Sequence, residues 1–147
     1  MENKAKVLFL CTGNSARSQM AEAFLRKFAG DKFEVYSAGL EPQGINPYTI
    51  RVMEEIGYNM SSYRSKSLME YMGKNHFGYL ITVCGSADKN CPIFPGMGMR
   101  MHWGFEDPAA FQGSDDEKLE KFRQVRDQIA EKIQSWLIEK EINTSKI

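Results

Sequence analysis

Apolar and polar positions alternate in two rhythms along the chain, and the switches between them predict its elements. Lys6 to Cys11 reads K-V-L-F-L-C, a near-continuous apolar run of the kind found in strands buried on both faces. From Gln19 to Phe28 the apolar residues Met20, Ala21, Phe24, Leu25 and Phe28 recur at helical spacing, with Ser18 opening the pattern. Phe33 to Ala38 alternates as F-E-V-Y-S-A and predicts a second strand, closed by Gly39. Pro47 suits a helix start, and Ile50, Val52, Met53 and Ile56 carry that helix to Gly57. A shorter helix is expected over Ser67 to Met72. Tyr79 to Cys84, Y-L-I-T-V-C, predicts a third buried strand that again ends on a cysteine. A loop with Gly85, Pro92, Pro95, Gly96 and Gly98 follows, then a fourth strand at Met99 to His102. From Ser114 the pattern is helical: Leu119, Phe122, Val125, Ile129, Ile133 and Trp136 mark one face, and Asp115, Asp116 and Glu117 favour the N-terminus. The charge-rich remainder of Asp115 to Glu139 is a solvated face, and Asn143 to Ile147 reads as a frayed tail.

This alternation predicts an α/β fold: a four-stranded parallel sheet with helices on both faces and right-handed crossovers. Ligands of such sheets sit at the carboxyl ends of the strands, where Cys11 and Cys84 both fall. A length of 147 residues suits one domain over 1–147, and 42% hydrophobic with 26% charged residues is an ordinary globular balance. Lys plus Arg equals Asp plus Glu at 19 each, so the basic excess of a nucleic-acid binder is missing and no nucleic-acid partner is expected. The apolar runs are too short to span a bilayer, and Val7 to Cys11 is shorter than a signal-peptide core. No membrane association and a cytoplasmic location are therefore expected. In a reducing compartment the three cysteines, Cys11, Cys84 and Cys91, point to catalytic or metal-binding thiols rather than a disulfide framework.

Cys11-Thr12-Gly13-Asn14-Ser15-Ala16-Arg17-Ser18 joins the first strand to the first helix. Such a loop aims backbone N–H groups into one concavity at a helix N-terminus, which suits an anion. Gly13 opens backbone angles closed to other residues, and Asn14 tolerates the left-handed region and can brace the loop with its amide. Arg17 offers a planar fork for two oxygens of a tetrahedral oxyanion, and the same field is expected to lower the pKa of Cys11. Ser18 is placed to donate to the resulting thiolate. The plainer alternative, a buried thiol beside a surface arginine, is disfavoured by the strand–loop–helix context. Cys84 and Cys91 enclose G-S-A-D-K-N; as zinc ligands they lack partners, since neither His76 nor His102 has a convincing spacing. Inert core thiols remain conceivable, and a redox pair joined by a bending loop fits better. In "FEDPA", Asp107 is either a turn aspartate before Pro108 or a proton donor beside the bound anion.

"LCTGNSARSQMAEAF" resembles the signature loop of the low-molecular-weight protein tyrosine phosphatase fold, and more closely that of the thioredoxin-coupled arsenate reductases built on it. The likeness continues through "VYSAG", "VCGSADKNCP" and "HWGFEDPA", and so spans nearly the whole chain. It implies Cys11 as nucleophile and Thr12, Gly13, Asn14, Ser15, Ala16, Arg17 and Ser18 as the cradle for arsenate, with phosphate or sulfate as mimics. It makes Asp107 the general acid, ahead of Glu106, and Cys84 and Cys91 the relay cysteines. It further implies thioredoxin or a similar dithiol protein as reductant, no cofactor, and a monomer. The rivals are a phosphatase using Cys11, Arg17 and Asp107, a single-thiol reductase served by a small thiol, and a non-catalytic oxyanion-binding module. Ala16 stands where some related reductases carry a further cysteine. Some relatives bind potassium behind the loop through residues matching Asn14, Glu22 and Ser37, completed by an aspartate. Lys66, or Ser65 in a register shifted by one, stands near that aspartate here, and a lysine ammonium can replace the ion's charge, so no metal site is expected. Glu22 either braces the loop or is an ordinary helical charge. Trp103, Phe105, Met97, Met99 and Met101 are read as packing residues and His102 as a structural hydrogen-bonder.

Overall fold

The computed structural model describes residues 4–73, 75–91 and 97–140, apart from the side chains of residues 86 and 97. Four strands, β1 (Ala5–Cys11), β2 (Phe33–Gly39), β3 (Phe77–Thr82) and β4 (Met97–His102), form one sheet in the order β2-β1-β3-β4. All three pairings are parallel. Four α-helices accompany them: α1 (Arg17–Ala29), α2 (Pro47–Glu54), α3 (Gly85–Asn90) and α4 (Asp115–Glu139). The predicted α/β architecture is therefore present.

The apolar run of β1 is continuous because it is covered on both faces: Val7, Leu8, Phe9 and Leu10 are fully buried. The predicted stripe of α4 is buried from Leu119 to Trp136, and Trp136 packs its ring 5.2–5.7 Å from those of Phe33, Tyr79 and Trp103. Arg126 departs from the wet face expected of that helix. It is buried, with its guanidinium on the Val52 carbonyl at 2.8 Å and on Glu55, so that it pins α4 to α2.

Strand order fixes where a ligand can bind. From central β1 the chain steps to β2 on one side, then crosses to β3 on the other, which places the crevice at the switch between β1 and β3. The strand ends are level there: Cys11 lies opposite Gly39, Leu10 opposite Thr82, and Thr82 opposite His102.

Several boundaries differ from the sequence pattern. β3 begins at Phe77 and ends at Thr82, two residues short of Cys84. α2 stops at Glu54, and Gly57, at φ +87°, turns the chain so that Tyr58 N–H reaches the Met53 carbonyl. The helix expected over Ser67 to Met72 is a single 3-10 turn, Leu68–Glu70, capped by Ser67. The loop expected after Cys84 is in its first part a helix, α3; the tail from Asn143 and the prolines of that loop lie outside the described residues. No helix among the described residues is long and apolar enough to cross a membrane.

Candidate active site

The loop from Thr12 to Ala16 is turned inside out by the segment that follows β2. Carbonyls of Cys11, Thr12, Gly13 and Ser15 accept from the N–H groups of Leu40, Glu41, Gln43 and Asn46 at 2.8–3.2 Å. With its oxygens held outward, the loop keeps its own N–H groups for the cleft. None of those from Thr12 to Ala16 donates to a backbone carbonyl among the described residues. Asn14 makes this curvature possible: its φ is +49°, and it is completely buried. Its Nδ2 donates to Ser18 Oγ at 2.8 Å and Ser37 Oγ at 3.0 Å, while its Oδ1 accepts from Gln19 Nε2 and the Lys66 N–H. The left-handed residue of this loop is thus Asn14 and not Gly13, where an added Cβ would meet only the movable Gln43 side chain, 3.1 Å from its Oε1. α1 begins at the loop's end with no side-chain cap, whereas α2 and α4 are capped by Asn46 and Ser114. An anion in the cleft would occupy the place of that missing cap.

Cys11 ends β1 and Cys84 caps α3, and both thiols line the same cleft. Thr12 Oγ1 lies 3.3 Å from Cys84 Sγ, and the Ala87 N–H donates to it at 3.4 Å. The Cys84 thiol is held well below its ordinary range, first by the Cys11 hydrogen bond, then by Thr12, Ala87 and Arg17 acting against burial. The same bond, followed by burial, pushes Cys11 up despite Arg17 and the Gly13 N–H. A thiolate on either sulfur disfavours ionisation of the other, so one thiolate at a time is favoured between them. Arg17 and the Gly13 N–H act on Cys11 in the lowering direction expected of the loop field, and the neighbouring sulfur and burial oppose them. Ser18 is bonded to Asn14, and no hydrogen bond joins it to Cys11 among the described residues.

Arg17 is mostly buried and fixed at two points: Nη1 donates to the Phe105 carbonyl at 3.1 Å, and Nη2 lies 3.6 Å from Asp107 Oδ2. Asp107 caps a 3-10 turn, Pro108–Ala110, through the Ala109 N–H, which holds its carboxyl over the cleft. Asp107 is therefore a turn aspartate that also lines the cleft. Glu106 points elsewhere, to Lys121 at 2.7 Å. Cys11, Thr12, Arg17, Cys84, Gly85 and Asp107 line a cleft of about 470 Å3, together with Gln43 and Ala109. Among the described residues, none that lines it is aromatic.

Cys91 closes α3 at its other end and is buried, which raises its thiol. The six residues between Cys84 and Cys91 form a helix instead of the bending loop expected, because Cys84 supplies the N-terminal cap and Thr82 Oγ1 holds Asp88 at 3.1 Å. No cluster of His, Cys, Asp and Glu suited to a metal occurs among the described residues. His102 Nδ1 meets Thr82 Oγ1 at 2.8 Å, and Trp103 packs on Phe9, as structural residues do.

A profile of the low molecular weight phosphotyrosine protein phosphatases matches residues 6–146. The chain belongs to that family. Within this phosphatase family it is 45% identical over 135 residues to an arsenate reductase of Halalkalibacterium halodurans, covering 91% of this chain and 96% of that one. A solved structure described as an arsenate reductase in the phosphate binding state superposes with a TM-score of 0.77 at 32% identity, over 92% of this chain and 98% of that one. A thioredoxin-dependent arsenate reductase of Corynebacterium glutamicum superposes at 0.61 and 30% identity, over 90% of this chain and 63% of that one.

Behind the phosphatase-family loop, Glu22, Ser37, Asn14 and Lys66 converge. Ser37 Oγ donates to Glu22 Oε1, and Lys66 Nζ lies 3.3 Å from the same oxygen and 3.2 Å from Ser37 Oγ. Glu22 is thus a buried brace, not a surface charge. The residues do not fit a potassium ion, because an ammonium already stands among its would-be ligands. The contribution of residues 40–46 has no sequence signal, since it is made by backbone N–H groups that any residue but proline carries.

Proposed function

We propose that the protein reduces arsenate to arsenite through Cys11, Cys84 and Cys91, with thioredoxin or a similar dithiol protein resetting it in the cytoplasm. One observation carries this reading: a second thiol, Cys84, lines the same anion cleft as Cys11, where ester hydrolysis needs only one. Arsenate lies in the loop against Arg17 and the α1 N-terminus. The Cys11 proton passes to Cys84, and Cys11 attacks arsenic. An As–O bond breaks with a proton from Asp107, releasing water and leaving arsenic bound to sulfur. Cys84 then loses its proton, which the Thr12 hydroxyl and the Ala87 N–H favour, and attacks Cys11 Sγ. The S–As electron pair goes to arsenic, which departs as arsenite, and a Cys11–Cys84 disulfide remains. Cys91 attacks Cys84, freeing Cys11, and the external dithiol reduces Cys84–Cys91.

The second reading is hydrolysis of phosphate monoesters through Cys11, Arg17 and Asp107, which the same cleft accommodates. Among the described residues no aromatic side chain lines the cleft, which favours a small inorganic oxyanion over a phenolic ester. Arsenite release with thioredoxin, thioredoxin reductase and NADPH, measured beside ester hydrolysis, separates the two. Arsenite formation outpacing ester cleavage is expected; rapid ester cleavage without arsenite would reverse the order.

A further inference from the structure

Among the described residues, Lys66 is the one lysine buried against the functional loop: its side chain is 9% exposed and that of its partner Glu22 5%. Burying an ammonium is costly and pulls its pKa down, opposed by the carboxylate of Glu22. Glu22 already has a second cation, Arg26, 2.7 Å from its other oxygen. Neutralising Glu22 therefore does not by itself explain why a lysine is buried here.

The hydrogen bonds explain it. Ser37 has one proton and two lone pairs. The proton goes to Glu22 Oε1, so both lone pairs must accept, one from Asn14 Nδ2 and one from Lys66 Nζ. This polarity fixes the Asn14 amide with nitrogen toward Ser37 and oxygen toward the Lys66 N–H, 2.8 Å away. Lys66 thus grips Asn14 twice, directly with its backbone and through Ser37 with its side chain. Its carbonyl also accepts from the Gly39 N–H at 2.8 Å, tying it to the end of β2. Asn14 is the residue at φ +49° on which the loop's curvature depends.

We infer that Lys66 is a positioning residue of the anion loop, and that its tethered ammonium sets Asn14 without help from any dissolved monovalent cation. It touches no substrate and acts through Ser37 and Asn14. The inference rests on the anion loop and not on arsenate as substrate, so inorganic phosphate tests it even if the reductase reading fails.

The test is a phosphate titration of the parent protein, Lys66→Met and Lys66→Ala at constant ionic strength in N-methylglucamine, sodium, potassium or ammonium chloride, with thermal melting in parallel. The parent is expected to bind equally in all four salts. Lys66→Met, which fills the space without charge, should lose on the order of tenfold or more in affinity in every salt. Lys66→Ala should lose as much in N-methylglucamine and recover in potassium or ammonium, because a small cation can enter beside Glu22 and Ser37. A merely structural lysine would not show that rescue. Parent-like affinity in Lys66→Met, potassium dependence of the parent, or a folded Lys66→Ala that no cation rescues would each overturn the inference. If Lys66→Met does not fold, the cation response of Lys66→Ala decides.

Discussion

The proposed relay requires helix α3 to come apart before it can finish, and adding a single methyl group tests that. Cys84 and Cys91 stand at its two ends, seven positions apart. At 1.5 Å per residue their Cα atoms are about 10 Å apart while the helix holds, whereas a disulfide tolerates roughly 4.4–6.8 Å. Gly85 opens the helix, its φ is not left-handed, and a Cβ added there meets nothing within 4 Å. Gly85→Ala should therefore stabilise the helix by about 0.5–1 kcal/mol with no clash. If unwinding precedes attack of Cys91 on Cys84, that transfer should slow about two- to fivefold. The first disulfide should form at the parent rate, because Cys11 and Cys84 already line one cleft while α3 is intact. Arsenate-loaded enzyme, quenched by alkylation at intervals and read by mass spectrometry, follows both disulfides. Amide exchange over 85–90 reports whether the helix was strengthened. A better protected helix with an unchanged or faster transfer would refute the reasoning.

Gly39→Ala should damage the site from beneath, since its Cβ would lie 2.7 Å from the Thr12 carbonyl and 2.9 Å from the Asn14 nitrogen. A loss of about 1–3 kcal/mol in urea unfolding together with weakened phosphate binding is expected, and unaltered binding would contradict the close approach of strand and loop. Thr12→Val removes a donor from Cys84, whose thiol should rise back toward its ordinary range. A lowered thiol is ionised above its folded pKa, so the variant should lose thiolate, and with it activity, first at the acidic end. The thiolate absorbance titration should move to higher pH, and an unmoved midpoint would remove Thr12 from the account.

The strands, α1 and α4 were legible because each has an apolar pattern long enough to show its period, as Val7 to Leu10 and the stripe ending at Trp136 do. Cys11, Arg17 and Asp107 could be placed from the loop and the Asp-Pro turn. α3 was hidden because six residues, five of them small or polar and one a lysine, show no period, and its cap is a sulfur. The influence of Cys84 on Cys11 was equally hidden, because Cys84 approaches only when β3 is laid beside β1. Lys66 was legible only as a charge near the loop; that it grips Asn14 through Ser37 is a fact of three dimensions.

The most direct measurement is single-turnover chemistry of Cys91→Ser with arsenate and no reductant. The account predicts one arsenite per protein, a stalled Cys11–Cys84 disulfide in the mass spectrum, and no sustained turnover when thioredoxin is added. Continued thioredoxin-driven turnover at the parent rate, with no such disulfide trapped, would contradict it.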